Sequence, residues 1–255
     1  MTLSWETFAI VLPLVFFAGF VDAIAGGGGL ISVPAYLAAG LPPHFALGNN
    51  KFSSMFGTLF TTLTYHRNKL IDGKIAVISA IFALAGSFTG TRTVLLLDPS
   101  FLRYILIVLI PVLTVFTFIR KDLGQVNVSF ELGGVKKYLI ASILPFFVGF
   151  YDGFFGPGTG AFLILIYTAL MKYDFVTANA NTKVVNLASN IAALITFLIH
   201  GKVIFALGIP AALAGIAGNA LGSSMVLKRG KNVIRPIFIG VLILLFAKIV
   251  YDTFA

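Results

Sequence analysis

The sequence contains two copies of one motif, about half a chain apart. The first copy spans residues 19–29 (GFVDAIAGGGG) and the second spans residues 149–160 (GFYDGFFGPGTG). Downstream, residues 49–51 (NNK) correspond to residues 181–183 (NTK). Each copy therefore places an acid, a glycine cluster and a lysine in an apolar background. This kind of duplication is typical of membrane transporters whose binding site lies between two repeats.

The composition predicts a chain embedded in a membrane. Hydrophobic residues make up 58% of the chain and charged residues 11%, which is more apolar surface than a soluble domain of this size buries. Apolar runs long enough to cross a bilayer recur from end to end, so we predict an all-α, polytopic helical protein of the cell (inner) membrane. The first residues carry Glu6 and no basic region, so we expect the first apolar run to be retained rather than cleaved.

Composition also limits the kinds of site and partner. The absence of cysteine excludes disulfides and thiolate ligands, and the three histidines lack metal-ligand spacing, so we expect no metal and no cofactor. The net charge of +9 is better explained by cytoplasmic loops rich in Lys and Arg than by nucleic acid. The expected partners are the lipid bilayer and a small anionic substrate, and a homodimer is left open.

Ten apolar segments divide equally between two predicted membrane repeats, residues 1–125 and 126–255. The segments of the first repeat are 5–21, 30–39, 45–65, 74–97 and 101–119, and those of the second are 135–150, 161–171, 176–199, 203–227 and 233–251. Because five is odd, the second copy should be inserted upside down relative to the first. Small residues four apart recur at Gly86 and Gly90 and at Gly218 and Gly222, a spacing that allows helix backbones to approach closely.

The charges of the loops agree with an inverted second repeat. Lys and Arg are frequent in residues 67–74, 120–137 and 228–235, and sparse around Asp98 and His200. With ten segments the three basic loops lie on one side, which the positive-inside rule assigns to the cytoplasm, and both termini lie outside. Because the second segment of each repeat is short, eight or nine full crossings are left open.

The two glycine clusters predict helices that break inside the membrane. Residues 30–39 and 161–171 are too short to cross about 30 Å of hydrocarbon, and each follows a glycine cluster that permits unwinding. A short helix starting at such a break would present backbone N–H groups and the positive end of its dipole to an anion. The candidate substrate-binding residues at the breaks are Gly27, Gly28, Gly29, Gly158, Thr159 and Gly160. The alternative is that these glycines only permit tight helix packing.

Two lysines provide the strongest candidate ligands for an anion. Lys51 and Lys183 each lie several residues inside an apolar segment, where a charge is costly unless it faces a cavity or a partner. Polar side chains follow at helical spacing, which predicts two stripes lining a shared cavity: Asn50, Ser54 and Thr58 on one segment and Thr182, Asn186 and Asn190 on the other. Asn49 and Asn181 complete the candidate substrate-binding set. The alternative is that both lysines extend to the headgroups.

The acids of the duplicated motif have several candidate roles. Asp22 and Asp152 precede the glycine clusters and are expected to neutralise the lysines, cap the short helices or carry a coupling proton. Arg92, in the fourth segment, is interpreted as either a substrate contact or a residue extending to the headgroups.

Taken together, these motifs resemble those of the sulfite exporter TauE/SafE family of membrane permeases. The resemblance rests on both glycine-containing motifs, on Pro34, Pro42 and Pro43, and on the two Asn-x-Lys sequences. It covers nearly the whole chain. It implies transport of small anions, especially sulfur oxyanions such as sulfite and organosulfonates, usually outward.

The leading hypothesis is a secondary transporter, most simply an exporter, that works by alternating access. No Gly-x4-Gly-Lys-Ser/Thr sequence for nucleotide binding occurs, so the driving force would be the anion gradient, the membrane potential or coupled protons. The alternatives are an anion channel and a permease for small carboxylates. An enzyme is not expected, because no nucleophile with a base and no histidine cluster occurs.

Overall fold

The computed structural model describes residues 3–96, 124 and 126–254, and within them the regular structure is helical. The α-helices are α1 (Trp5–Ala25), α2 (Gly29–Ala38), α3 (Pro43–Arg67), α4 (Gly73–Leu96), α5 (Gly134–Phe154), α6 (Thr159–Ala169), α7 (Phe175–Ile199), α8 (Phe205–Arg229) and α9 (Lys231–Phe254). A short 3-10 helix, Ser129–Glu131, precedes α5. The predicted segment 101–119 lies outside the described residues.

Helix length and composition agree with a polytopic membrane protein. By these criteria α1, α4, α5, α7 and α8 are long and apolar enough to cross a membrane. The shorter α2 and α6 have 10 and 11 residues, so at about 1.5 Å per residue each reaches roughly half of the hydrocarbon thickness. The expectation of two short helices is therefore confirmed.

Local sequence explains where the principal helices begin. Ser4 caps α1, and its hydroxyl accepts the N–H of Thr7. Helix α3 begins at Pro43, where proline at the first turn loses no helical hydrogen bond. Asp174 caps α7 by accepting the backbone N–H groups of Val176 and Thr177.

The outer helices pack across the two halves of the chain. Helix α1 lies against α8, and α5 lies against α4. The close approach depends on small residues, because a Cβ at Gly218 would overlap the carbonyl oxygen of Phe16, and a Cβ at Gly86 would overlap that of Phe146. The predicted small-residue spacings are thus helix contacts.

Helices α3 and α7 run antiparallel at the centre of the molecule. The start of α3 lies at the end of α7, where Gly48 contacts the backbone of Lys202. At the other end, the Tyr65 hydroxyl accepts a 3.4 Å hydrogen bond from the Asn179 side chain. Because α3 also packs on α8 and α7 on α4, the two central helices hold the outer pairs together.

Candidate functional site

The two helix breaks meet at the centre of the protein. Helix α1 ends at Gly26, which has a left-handed φ of 72° and donates its N–H to the carbonyl of Asp22. The Gly26 carbonyl in turn accepts the N–H of Ala161 at 3.1 Å. A Cβ on either Gly26 or Gly160 would overlap the backbone of the other. The chain can therefore bring both breaks into contact only with glycine at this crossing.

Lys51 is buried in an ion pair with the second half of the chain. Its Nζ lies 2.7 Å from Oδ2 of Asp152, and the two side chains are 2% and 7% exposed. The same ammonium donates to Oδ1 of Asn190 at 3.2 Å. The hydroxyl of Ser189 donates to the Asp152 carboxylate at 2.5 Å. These contacts give both charges the partners that burial requires.

Lys183 makes the reciprocal ion pair with the first half. Its Nζ lies 3.0 Å from Oδ2 of Asp22 and also donates to the Asp22 carbonyl oxygen. The lysine side chain is fully buried, whereas 21% of the Asp22 side chain is exposed. Each lysine is thus neutralised by the acid of the opposite half, and neither reaches toward the headgroups. Of the roles considered for the acids, the structure shows neutralisation.

A small cavity lies between the two halves and reaches both ion pairs. Its volume is about 30 Å³, which is room for about two water molecules. Its lining comes from α1, α3, α5, α7 and the two breaks, and consists of Asp22, Gly26, Gly29, Asn50, Lys51, Ser54, Thr58, Asp152, Gly156, Thr159, Gly160, Asn186 and Asn190. A polar cavity at the meeting point of two broken helices is the arrangement in which transporters bind their substrates.

Asn186 is a polar side chain of this cavity with an unsatisfied atom. The residue is 6% exposed, and its amide oxygen has no hydrogen-bond partner in the described part of the chain. Buried amides are normally paired. The unpaired amide oxygen of Asn186 in this cavity therefore indicates a place where water or another hydrogen-bond donor is held.

Asp22 also lines a second small cavity, which lies against α8. This second cavity has a volume of about 20 Å³ and is lined by Asp22, Ser54, Gly28, Ser32, Ser53, Val15, Ala18, Gly19, Gly215 and Asn219. Asp22 and Ser54 are common to both cavities. Asp152, in contrast, lines only the first of the two.

Comparison with known proteins places the chain in a family. The model of the family described as sulfite exporter TauE/SafE matches residues 11–249. The chain belongs to the TauE/SafE family. No solved structure matches it.

Bacterial members of the TauE/SafE family resemble this chain over nearly its whole length. A probable membrane transporter protein of Haemophilus influenzae is 36% identical, with 99% of this chain and 98% of that protein aligned. The probable membrane transporter protein YfcA of Escherichia coli K12 is 35% identical, with 96% and 91% aligned. A probable membrane transporter protein of Sinorhizobium, ORF9, is 33% identical, with 98% and 95% aligned. This TauE/SafE chain is thus a multi-pass membrane transporter.

The cavity of this TauE/SafE chain brings together only part of the predicted site. It contains Asn50, Lys51 and Asn186, together with Gly29, Thr159 and Gly160 from the breaks and both acids. Lys183 contacts the cavity through Asp22. Thr182 is fully buried. Neither Thr182 nor Gly27 nor Gly158 lines this cavity. Gly28 lines the second cavity instead.

Asn49 and Asn181 lie at helix–loop contacts instead. The amide oxygen of Asn49 accepts the N–H of Ile204 at 3.3 Å, just before α8. The amide oxygen of Asn181 accepts the N–H of Asp72 at 3.2 Å, just before α4. The Asp72 carboxylate also accepts the Tyr173 hydroxyl at 2.7 Å, and burial raises the pKa of Tyr173, so this hydroxyl remains a donor.

The structure bears on two further expectations, of which the first left a substrate contact and an extension to the headgroups open for Arg92. Arg92 is exposed and its guanidinium lies 4.2 Å from the ring centre of Phe88, so it is not a cavity residue. At the start of α6 the N–H groups of Thr159 and Ala161 already donate to Gly156 and Gly26. They are therefore not free for an anion in this conformation.

Five residues of the cavity were not among the substrate-binding candidates, although three of them belong to the polar stripes that were predicted to line a cavity. Ser54, Thr58 and Asn190 follow Asn50 or Asn186 at helical spacing, so the polar stripes contained the signal for them. Gly26 follows α1 and Gly156 follows α5. The local sequence does not distinguish glycines that line a cavity from glycines that only allow the chain to turn.

Proposed function

We propose that this protein is a secondary transporter that exports small anions, with sulfur oxyanions such as sulfite or organosulfonates as the preferred class. The observation that carries the proposal is the central cavity, where a buried ammonium, the amides of Asn186 and Asn190 and the hydroxyl of Thr58 converge. Such donors match the several acceptor oxygens of an oxyanion. The relatives are named as transporters without a substrate, so the anion class rests on this chemistry and on the family description.

The cavity is too small in this conformation to hold the proposed substrates. A space of about 30 Å³ holds about two water molecules, which is less than a sulfonate with its organic group requires. Binding would require the two halves to separate. The lysines would then exchange part of their contact with the aspartates for contact with the anion. Movement of one half against the other is the usual basis of alternating access.

We further propose that the halves, residues 1–125 and 126–255, are inverted copies of one module. The antiparallel course of α3 and α7 supports this arrangement, as do contacts that occur in reciprocal pairs. Lys51 pairs with Asp152 while Lys183 pairs with Asp22. The contacts of α1 with α8 and of α5 with α4 are reciprocal in the same way.

Anion flux into proteoliposomes tests the function. We expect saturable uptake and counterflow of sulfite or methanesulfonate by the unmodified protein. Lys51→Ala should reduce flux at least about tenfold, because it removes a charged donor worth more than about 1.4 kcal/mol. The matched control is Lys172→Ala, which removes a lysine from an ion pair with Glu131 that is about half exposed and should leave flux unchanged.

Three outcomes of this experiment decide against parts of the proposal. Equal flux in Lys51→Ala, Lys183→Ala and the unmodified protein would remove the cavity as the binding site. Flux without saturation or counterflow would indicate an anion channel. Preference for acetate or other small carboxylates over sulfonates would change the substrate class.

A further inference from the structure

We propose, on the basis of the proposed function, that Asp22 takes up one proton for each monovalent anion carried, so that anion and proton move together. Export then requires an outward anion gradient larger than the opposing proton gradient. The inference begins with the charge balance of the site. Lys51, Lys183, Asp22 and Asp152 form two ion pairs with a net charge of zero. Asp22, Lys51 and Asp152 line one cavity, and Lys183 contacts it through Asp22.

An anion entering this neutral cluster would leave one negative charge uncompensated. An unpaired charge buried in protein within a membrane is strongly unfavourable. Neutralising one carboxylate with a proton restores the balance and releases the ammonium of its partner lysine to face the anion. The step forms one O–H bond on the carboxylate and breaks one O–H bond of a hydronium ion, which leaves as water.

The contacts of the two acids identify Asp22 as the group that takes the proton. Asp152 is held by Lys51 at 2.7 Å and by the Ser189 hydroxyl at 2.5 Å, and its side chain is 7% exposed. Protonating Asp152 would therefore disturb two side-chain contacts. Asp22 has one side-chain donor, Lys183, is 21% exposed, and faces both cavities. Protonation of Asp22 would therefore disrupt fewer side-chain contacts than protonation of Asp152. Water can also reach Asp22 from the cavities that it lines.

The other groups around Asp22 do not compete for this role. On α7 the charged neighbour is Lys183, and on α3 it is Lys51, across the cavity. Tyr65 of α3 donates its hydroxyl to the carbonyl of Ala23 at 2.8 Å. From α5 the ionisable group that faces the cavity is Asp152. The described lining residues from α2, α6 and α8 are glycines, Ser32, Thr159 and Asn219, which do not titrate.

Proton movement in proteoliposomes tests the inference, with methanesulfonate as the probe because it is a monoanion at every pH used. In the unmodified protein we expect about one proton per anion, and a flux that an imposed potassium diffusion potential does not change. In Asp22→Asn the proton-to-anion ratio should fall at least about fivefold, and the remaining flux should become sensitive to the potential. Glu131→Gln, which changes an exposed acid in the same way, should keep the ratio of the unmodified protein.

The outcomes separate this inference from the transport function. Methanesulfonate flux without proton movement in the unmodified protein would overturn the coupling while the transporter stands. An unchanged ratio in Asp22→Asn, or loss of coupling in Asp152→Asn instead, would overturn the assignment to Asp22. Absence of any anion flux would count against both. If Asp22→Asn does not fold, the ratio and the potential dependence of the unmodified protein still decide whether coupling exists.

Discussion

At the residue scale, the site is defined by charges that exist in the membrane only because they are paired. Removing one partner of a buried ion pair costs about 3–5 kcal/mol, since the other charge is left uncompensated. An exposed pair such as Lys172 with Glu131 contributes only about 0–1 kcal/mol. Loss of Lys51 or Lys183 should therefore destabilise the fold as well as the proposed anion site, and variants of uncharged residues are needed to separate the two effects.

Asn186 and Asn181 offer such a separation. Asn186→Ala should raise the KM for anion transport about tenfold, the equivalent of one lost hydrogen bond of about 1.4 kcal/mol. Its unfolding temperature should change little, because its amide oxygen has no partner among the described residues. Concentration-dependent flux and thermal unfolding measure the two effects.

Asn181→Ala is the matched control, with the same chemical change on the same helix. Its side chain makes hydrogen bonds to Thr177 at 2.8 Å and to Asp72 at 3.2 Å, so the variant should unfold at a lower temperature with little change in KM. A higher KM in Asn181→Ala than in Asn186→Ala would place the anion elsewhere.

At the scale of elements, the important feature is that two helices stop inside the molecule. Helix α1 ends at Ala25 and α2 starts at Gly29, while α5 ends at Phe154 and α6 starts at Thr159. Non-helical backbone at membrane depth is tolerated when it is buried in protein or faces a water-filled cavity. Here the two breaks pack against each other at Gly26 and Gly160, and other residues of the breaks line the cavity.

Gly160→Ala tests the contact between the breaks. The added Cβ would overlap the backbone of Gly26, which cannot move away as a side chain would, so we expect a loss of about 1–3 kcal/mol in unfolding free energy. Thermal unfolding of the purified protein measures the change. Gly73→Ala, at the start of α4 with open space around the added atom, should unfold like the unmodified protein. Equal unfolding temperatures for the two variants would mean that the breaks are not in contact.

At the scale of the whole molecule, the proposed inversion gives equivalent residues opposite positions in the membrane. Asn68 follows α3 and His200 follows α7, and the two helices run antiparallel. Lys and Arg are concentrated near Asn68, which assigns that end to the cytoplasm. Alternating access then requires the halves to move about the central cavity that both of them line.

Cysteine labelling in intact cells tests this orientation. The chain has no cysteine, so Asn68→Cys and His200→Cys, both at exposed positions, need no further change. A membrane-impermeant maleimide added outside should label His200→Cys and should label Asn68→Cys only after the membrane is opened. Labelling of both from the same side would rule out inverted halves.

The sequence alone determined that the chain lies in the membrane, that it contains helices too short to cross it, and that polar stripes surround two lysines. Each of these follows from local quantities, namely hydrophobic run length, glycine clusters and helical spacing. The tertiary structure decided which acid meets which lysine, that Asn50 and Asn186 share a cavity while Asn49 and Asn181 hold loops, and that Arg92 is exposed. Those outcomes depend on how α3 and α7 face each other, and residues more than 100 positions apart in the chain carry no local signal of their contact.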